Sequence, residues 1–296
     1  RSTQGYSSAA SDVYKRQACN DFITTLGNKY PMDEYRLIRD YQNGEIIFDR
    51  RYGSTNTFEK NNYPVGYNLG QSGNTPSQNL VDAYEMIDGT PFDWNNPEHK
   101  SNPYANRDPR LAMSILTNNV EFKDRTIEAW TGGRDGKGVI HATRTGYYIY
   151  KFIDPNLDLL QNRTSVHHWV IMRYAEILLS YAEAMNEAYG PTGNVGYRLN
   201  AVRALNQVRN RVGVEMPAVP TAISKEELRE KIRNERRVEL AFEDHRFWDV
   251  RRWMIAPETL GAPLRGVEIT KISDEEFEYK PIEVEKRTFE PKMYLY

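Results

Sequence analysis

Five aromatic residues in loop-like stretches are the first candidates for chemistry in this sequence of 296 residues. Each stands near asparagine or glycine residues, so that a flat apolar ring is combined with hydrogen-bonding groups. This mixture suits a ligand such as a sugar, whose ring has an apolar face and a rim of hydroxyls. We predict a shallow, exposed ligand-binding site built from Trp94, Trp130, Tyr52, Tyr63 and Tyr67. The alternative for each ring is that it fastens its loop to the rest of the protein.

A run of arginine and acidic residues in the C-terminal half has two interpretations. Several of these residues have helical neighbour spacing, and planar guanidinium groups fit carboxylates well. We therefore predict a structural ion-pair lattice that ties two helices together, formed by Arg236, Arg237, Glu239, Arg246, Asp249 and Arg252. The alternative is a site for an anion or an acidic sugar.

No other pattern indicates catalysis or a resident metal. His167 and His168 are adjacent, so their side chains point apart on a helix, and no third ligand has a usable spacing. Acidic pairs such as Glu275 and Glu276 have no companion motif that would support a hydrolase. We predict no catalytic residue, no metal and no cofactor, with a calcium site of loop Asp and Asn oxygens left as an alternative.

Composition excludes several classes of protein. Lys plus Arg is 39 and Asp plus Glu is 41, which gives a net charge of -2. This balance argues against nucleic acid as the main partner, because phosphate contacts need a basic excess. No apolar run reaches the length of about 18 residues that a transmembrane helix needs. The one cysteine, Cys19, excludes an internal disulfide and a cysteine-cluster metal site.

The first residues look foreign to the protein. Residues 7–17 read SSAASDVYKRQ, which is the translation of a common transposon-type sequencing adapter, and the residues before them fit its flanking sequence. We therefore expect residues 1–17 to be a non-native, adapter-derived tail. On this expectation the natural N-terminus is missing, and the absence of a signal peptide says nothing about location.

Hydrophobic spacing predicts a mainly α scaffold with long ordered loops and a few short β-hairpins. Apolar residues recur at helical spacing over 169–189, and Gly190-Pro191 ends this helix. A second helix over 199–212 follows, so the two form an antiparallel pair of tetratricopeptide type. Ser224 and Glu227 form a capping box that opens a third helix.

The N-terminal half is predicted to be less regular. Residues 18–41 have helical spacing that Pro31 divides into two short pieces, and a strand is predicted at 45–49. Residues 51–110 are rich in aromatic residues, which indicates ordered loops because disordered segments are poor in them. Strands are predicted at Leu111–Leu116, Val139–Ala142 and Gly146–Ile153, with Gly132–Gly138 as the turn between two of them.

Several motifs resemble those of one known family. Residues 173–187 read RYAEILLSYAEAMNE, and residues 235–253 read ERRVELAFEDHRFWDVRRW. Three upstream motifs stand in the family's order: NGEIIF at 43–48, NLVDAYEM at 79–86 and NRDPRL at 106–111. Together they resemble the SusD/RagB family of glycan-binding outer-membrane lipoproteins over residues 18–296. The family usually has Gly where this chain has Asp244, and Asp tolerates the left-handed backbone that this turn needs.

The resemblance implies an organisation and a function. It implies a SusD-like helical scaffold in which 18–165 is the loop-rich, ligand-facing part, 166–256 the helical repeat scaffold and 257–296 the C-terminal loops and strands. It also implies non-catalytic capture of oligosaccharides or polysaccharides at the cell surface and delivery to a SusC-like TonB-dependent transporter. The protein would face outward on the outer membrane, held by an N-terminal lipid anchor that lies outside this sequence. We expect truncation at both ends, and Cys19 lacks the context of the lipidated cysteine.

Other interpretations stay open from the sequence. The chain is alternatively a helical-repeat adaptor whose aromatic residues serve protein contacts, or a binder of a nutrient other than a glycan, such as a peptide. A hydrolase is the third possibility. Three tryptophans fall within predicted helices and are expected to be core or helix-contact residues: Trp169, Trp248 and Trp253.

Overall fold

The computed structural model describes residues 3–35, 38, 40 and 42–295. The chain forms two compact units, each built from two segments of sequence. The first unit comprises Arg1–Arg50 and His168–Glu243, and the second comprises Arg51–His167 and Asp244–Tyr296. Each unit thus combines two segments that are far apart in the sequence.

Helices dominate the described residues, which confirms the predicted mainly α fold. The helices are α1 Thr3–Leu26, α2 Thr57–Asn62, α3 Gln78–Val81, α4 Pro97–Ser101, α5 Arg110–Ser114, α6 Tyr174–Tyr189, α7 Ala201–Arg209, α8 Lys225–Glu239, α9 His245–Arg252 and α10 Ala256–Thr259. The strands are β1 Ile46–Arg51, β2 Ile115–Leu116, β3 Glu121–Phe122, β4 Arg125–Thr126, β5 Tyr148–Ile149, β6 His168–Arg173, β7 Leu264–Lys271 and β8 Phe277–Glu285. They pair as β1–β6, β2–β5, β3–β4 and β7–β8. Within the described part of the chain, no helix is both long and apolar enough to cross a bilayer.

The first unit is organised around α6, which packs against α1, α7 and α8. Its apolar face supplies fully buried side chains such as Leu178, Leu179 and Met185 to one core cluster. The helix ends at Gly190, whose φ of 72° suits a residue without a Cβ. The capping box predicted at Ser224 and Glu227 is present at the start of α8.

The start of α6 differs from the prediction. Residues 168–173 form strand β6, which pairs with β1, and the helix begins at Tyr174. Trp169 therefore lies in a strand and not in a helix. Aromatic and β-branched residues favour extended backbone, and the distant strand β1 supplies the pairing that this preference needs.

Helix α1 runs through the segment predicted to be adapter-derived. The Lys15 ammonium pairs with the Glu183 carboxylate at 2.9 Å, and Arg16 Nε donates to the Tyr197 hydroxyl at 3.1 Å. Cys19 and Ile23 enter the core, and burial raises the pKa of the Cys19 thiol to about 11. The helical piece predicted after Pro31 falls partly on residues 36, 37, 39 and 41, which lie outside the described residues.

The second unit consists of short elements joined by ordered loops. Its longest sheet is the antiparallel hairpin β7–β8, in which Ile269 is paired with Tyr279. The strand predicted at Leu111–Leu116 is extended only at Ile115–Leu116, which is β2, because Arg110–Ser114 forms α5. The strand predicted at Gly146–Ile153 is extended at Tyr148–Ile149, which is β5, and the one predicted at Val139–Ala142 is wrong, since these residues form a turn. The segment Gly132–Gly138 forms turns but does not close a hairpin, because the strands before and after it, β4 and β5, pair with β3 and β2. Its buried Asp135 accepts from Arg125 at 2.6 and 2.9 Å.

Candidate functional site

A cleft of about 1030 Å³ opens in the second unit. It lies between α4 with the loop that follows, the segment after β2, and the chain around the start of β8. Its walls combine apolar and polar residues, among them Pro97, Lys100, Asn102, Tyr104, Pro109, Leu111, Asn118, Asn119, Ile272, Glu275, Glu276, Phe277, Glu278 and Tyr279. Ligand clefts in proteins are of this size, about 300–1,000 Å³.

The motif at 106–111 builds the floor of the cleft. The guanidinium of Arg107 donates to the carbonyls of Pro103, Val81 and Tyr84 at 2.6–2.7 Å. Burial lowers the pKa of Arg107 to about 10, although nearby acidic groups oppose this shift. The N–H groups of Arg107 therefore hold the loop and are not available to a ligand.

Asp108 fixes the next turn of the same motif. Its carboxylate accepts from Arg110 Nε at 3.0 Å and from Arg110 Nη2 at 2.7 Å, and both side chains are almost fully buried. The Asp108 amide also donates to the Glu85 carbonyl at 2.8 Å. These contacts give the cleft a rigid polar base.

A series of aromatic rings runs alongside the cleft. The ring centroids of Trp130 and Phe277 are 5.3 Å apart, and those of Phe277 and Tyr279 are 6.4 Å apart. The series continues edge to face from Tyr279 to Tyr104 at 5.3 Å and from Tyr104 to Tyr147 at 6.1 Å. Trp130, Phe277 and Tyr104 are half-buried, so part of each ring remains accessible. Tilted packing at Trp130 and Phe277 and edge-to-face packing at Tyr104 hold the accessible rings in fixed orientations.

Buried hydrogen bonds lock the inner end of this series. Tyr147 hydroxyl donates to the Gln78 side-chain oxygen, and Tyr104 hydroxyl donates to that of Tyr147 at 3.3 Å. Asn118 donates to the Tyr279 hydroxyl at 3.4 Å and accepts from the Ala129 amide at 3.1 Å. Burial raises the pKa of Tyr104 well above its ordinary value, so this phenol is neutral at physiological pH.

The rim of the cleft carries polar groups that face solvent. Six of them make no side-chain hydrogen bond or ion pair with other residues in the described ranges: Lys100, Asn102, Asn119, Glu275, Glu276 and Glu278. An ammonium, two amides and three carboxylates therefore stand around the aromatic faces. This arrangement suits a solvated ligand with a flat apolar face and several hydroxyls.

Two of the five predicted aromatic residues lie near the cleft. Trp130 contacts Phe277, and the Lys271 ammonium lies 5.1 Å from the Trp130 ring centroid. Trp94 is half-buried behind α4, where its indole N–H donates to Asp82 at 3.0 Å and its ring meets that of Phe92. Trp94 does not line the cleft.

The other three predicted rings require correction. Tyr63 and Tyr67 are buried, and their hydroxyls donate to the carbonyls of Asp154 and Phe122. Burial raises the pKa of both phenols. Tyr52 is 45% exposed but does not line the cleft. Tyr63 and Tyr67 therefore fasten their loop, and the predicted cluster of three tyrosines is not one surface.

The predicted site includes Trp130 but not the other rings of the series. Tyr104, Phe277 and Tyr279 were not assigned to a site, because about 170 positions separate the first from the other two. The alternation of Phe277 and Tyr279 in a strand was the available local signal, since residues two apart share one face. Trp248 was expected to be a core or helix-contact residue, but it is 63% exposed on α9.

A buried ion network in the first unit has a different centre from the predicted lattice. Arg173 Nε donates to Glu243 at 2.8 Å, and its Nη1 donates to Glu45 at 2.8 Å and to Glu239 at 2.6 Å. Arg211 Nη2 donates to both oxygens of Glu45 at 3.0 and 2.9 Å. All five side chains are almost fully buried. The network joins β6, α8 and the segment before β1.

The six predicted lattice residues occupy several places. Glu239 belongs to the network around Arg173. Asp249 accepts from Arg252 Nε at 2.9 Å within α9, and Arg236 on α8 donates to Ser180 Oγ at 3.2 Å. The remaining two lie on α8 and α9: Arg237 and Arg246.

The two histidines considered as metal ligands lie next to separate carboxylates. Among the residues described, no three His, Cys, Asp or Glu side chains are grouped so that they could hold a metal ion. His167 Nε2 lies 3.0 Å from Glu59, and His168 Nδ1 lies 3.2 Å from Asp49. Each histidine thus has its own carboxylate neighbour.

Comparison with known proteins identifies the family. The model of the SusD family matches residues 44–296. A SusD-like protein of Bacteroides fragilis is 31% identical, with a TM-score of 0.77 over 97% of this chain and 59% of its own. A second structure from B. fragilis, described as a SusD-like carbohydrate-binding protein, is 28% identical, with a TM-score of 0.79 over 98% of this chain and 60% of its own.

A further relative is also a SusD-like protein. SusD-like protein P2 of Formosa agariphila is 34% identical over 120 residues, which are 39% of this chain and 22% of that protein. The chain thus spans about 60% of the length of the two solved structures and a smaller share of the curated relative. Because the family model covers most of the sequence and the fold is shared with SusD-like structures, this chain belongs to the SusD family.

Proposed function

We propose that this protein binds oligosaccharides or polysaccharides without catalysis, using the cleft of the second unit. The observation that carries the proposal is the series of fixed rings from Trp130 to Tyr104 beside unpaired amide, ammonium and carboxylate groups. A similar structure, at 28% identity, is described as carbohydrate binding, which supports the same ligand class for this chain.

The chemistry of the cleft fits a sugar on physical grounds. The C–H face of a pyranose ring packs on an aromatic face, and Phe277, which lines the cleft with Trp130 packed behind it, offers such a face. The side chains of Asn102 and Asn119 both donate and accept, as hydroxyls require. No covalent step is involved, because recognition needs only stacking and hydrogen bonds.

Delivery of the ligand completes the proposed function. We infer that the protein works at the cell surface of the outer membrane, anchored by lipid, and hands its glycan to a SusC-like TonB-dependent transporter. Membership of the SusD family supports this assignment. Neither calcium nor another cofactor is part of the proposal.

Native gels cast with soluble polysaccharides test ligand binding. We expect one class of glycan to retard the protein, and Phe277→Ala to weaken binding about tenfold or more, as for a central aromatic contact. Trp130→Ala, which removes the ring that packs on Phe277, should weaken binding less. Trp248→Ala is the matched control, because this exposed tryptophan does not line the cleft.

Three outcomes would contradict the proposal. The first is the absence of retardation by every glycan, and the second is equal loss in the control variant. Release of reducing ends from a retarding glycan would indicate a hydrolase instead. Circular dichroism of each variant shows that lost binding does not reflect unfolding.

A further inference from the structure

A second groove, of about 860 Å³, lies within the first unit and has a basic character. It runs between the end of α1 with the loop after it and the surface of α7. Three arginines line it: Arg198, Arg203 and Arg211. No acidic side chain lines this groove among the residues described. Its volume falls in the range of ligand clefts, about 300–1,000 Å³.

Arg211 is the unusual member, because it is buried and incompletely satisfied. Its side chain is 1% exposed, and Nη2 alone serves Glu45 and Glu239. The other two nitrogens, Nε and Nη1, are buried and have no hydrogen-bond partner among the described residues. Buried polar groups in native proteins nearly always have partners, and an unmade bond to a charged group is costly. Both nitrogens are also closed off from solvent, so Arg211 belongs to the wall of the groove and does not itself present a free donor to a ligand.

The other two arginines of the groove lie at the surface. Arg198 and Arg203 are exposed, and their guanidinium groups make no ion pair or hydrogen bond with any residue that the structure describes. Planar guanidinium groups bind carboxylates in a bidentate manner. Two exposed guanidinium groups along one groove thus favour an anionic ligand with more than one charge.

The other residues that line the groove suit a peptide ligand better than a sugar. Asn28, Gln207 and Asn210 present side-chain amides that are unbonded within the described ranges, and such amides match the N–H and C=O groups of a peptide backbone. The one aromatic residue among the lining side chains, Tyr174, is 7% exposed, so it offers little face for a sugar to stack upon. Apolar positions such as Val212, which is 66% exposed, suit the side chains of a peptide.

We propose that this groove binds an extended acidic peptide segment, whose carboxylates pair with the exposed guanidinium groups of Arg198 and Arg203. The site is separate in sequence and unit from the carbohydrate cleft, and it does not rest on that proposal. Charge complementarity also implies that binding weakens as salt concentration rises.

Fluorescence anisotropy with labelled peptides tests the site in the full chain. The probes are a peptide of alternating Gly and Glu and a matched peptide in which Gln replaces Glu. We expect the Glu peptide to bind and the Gln peptide to bind at least tenfold more weakly. The double variant Arg198→Gln/Arg203→Gln should raise Kd for the Glu peptide about tenfold or more, as the loss of charge-assisted bonds predicts.

The control is Arg163→Gln, because Arg163 is exposed in the second unit and does not line the groove. Unchanged affinity in this control supports a specific site, and an equal loss overturns the proposal in favour of general charge attraction. Equal binding of the two peptides, or of neither, also overturns it. An oligogalacturonate that binds where the Glu peptide does not would assign the groove to an acidic glycan instead. Phe277→Ala should leave peptide binding unchanged, which separates this test from that of the carbohydrate cleft.

Discussion

At the scale of single residues, Arg173 lies at the centre of the buried ion network of the first unit. Its three nitrogens donate to Glu45, Glu239 and Glu243, and Nη2 also reaches the Glu239 carbonyl at 2.7 Å. Burial alone would lower the pKa of Arg173, but Glu243, Glu239 and Glu45 raise it well above its ordinary value. The charge therefore stays in place, and the three carboxylates depend on it.

Replacement of this arginine should destabilise the protein strongly. Arg173→Met leaves buried carboxylates with less compensating charge, and we expect a loss of about 3–5 kcal/mol in the free energy of unfolding. Arg173→Lys keeps the charge but loses the planar fork, so an intermediate loss is expected. Urea denaturation measures both, with Arg163→Met as an exposed control that should change stability by less than about 0.5 kcal/mol. A loss for Arg173→Met no larger than that of the control would contradict the role given to the network.

At position 244 the backbone conformation restricts which residue types fit without strain. It is exposed and has a φ of 61°, so the predicted tolerance of Asp in a left-handed turn is confirmed. We expect stability to fall in the order Gly, Asp, Ala, Val at this position, with Asp244→Val costing about 1–2 kcal/mol. Thermal unfolding of the four proteins measures the order. Equal stability of the Val and Gly variants would show that the turn relaxes when its residue changes.

At the scale of elements, polar contacts join the end of α6 to the start of α8. Glu187 pairs with Arg229 through two bonds of 2.6 and 2.7 Å, and Lys225 Nζ donates to the Glu187 carbonyl at 2.6 Å. Asn186 Nδ2 donates to the Lys225 carbonyl at 2.8 Å. The junction therefore combines a partly exposed ion pair with bonds to backbone atoms.

This junction predicts a pH dependence of stability. Burial alone would raise the pKa of Glu187, but the bonds from Arg229 and the charges of Arg229 and Lys225 lower it overall. Because the pKa is lower in the folded state, the ion pair stabilises the protein above the ordinary pKa of Glu and loses its effect as pH falls through the folded pKa. Glu187→Gln should therefore cost about 0.5–1 kcal/mol at pH 7 and much less at about pH 3.

Urea denaturation at the two pH values measures this difference. Glu121→Gln is the control, because Glu121 is exposed and makes no side-chain bond within the described part of the chain. A cost for Glu187→Gln that is the same at both pH values would show that packing, and not charge, holds the junction.

The elements also show which features a sequence can reveal. Helices α6, α7 and α8 follow from local apolar spacing and from the capping box at Ser224, all within a few turns of chain. Strand β6 does not, because its extended form depends on pairing with β1 more than 100 positions away. The ring series is of the same kind, since Tyr104 meets Tyr279 only through tertiary packing. Local patterns thus predicted the scaffold, whereas the site depends on contacts between distant segments.

At the scale of the whole molecule, each candidate site lies within one compact unit. The cleft with Phe277 belongs to the second unit, and the groove with Arg211 belongs to the first. A ligand that binds the native state stabilises it by an amount set by its concentration relative to Kd, about 2.7 kcal/mol at 100 times Kd. Local opening around the site is suppressed first, because the bound ligand must leave before the segment opens.

Hydrogen exchange with each ligand therefore distinguishes the two sites in one molecule. A retarding oligosaccharide should slow exchange most over residues 102–120 and 272–279, and the acidic peptide should slow it most over 198–212. The variants Phe277→Ala and Arg198→Gln/Arg203→Gln should each abolish one pattern and spare the other. If the peptide instead protected the 272–279 segment, both ligands would share the cleft, and the basic groove would have no ligand of its own. Protection of both regions by one ligand would show that binding is transmitted between the units, a coupling that neither site requires.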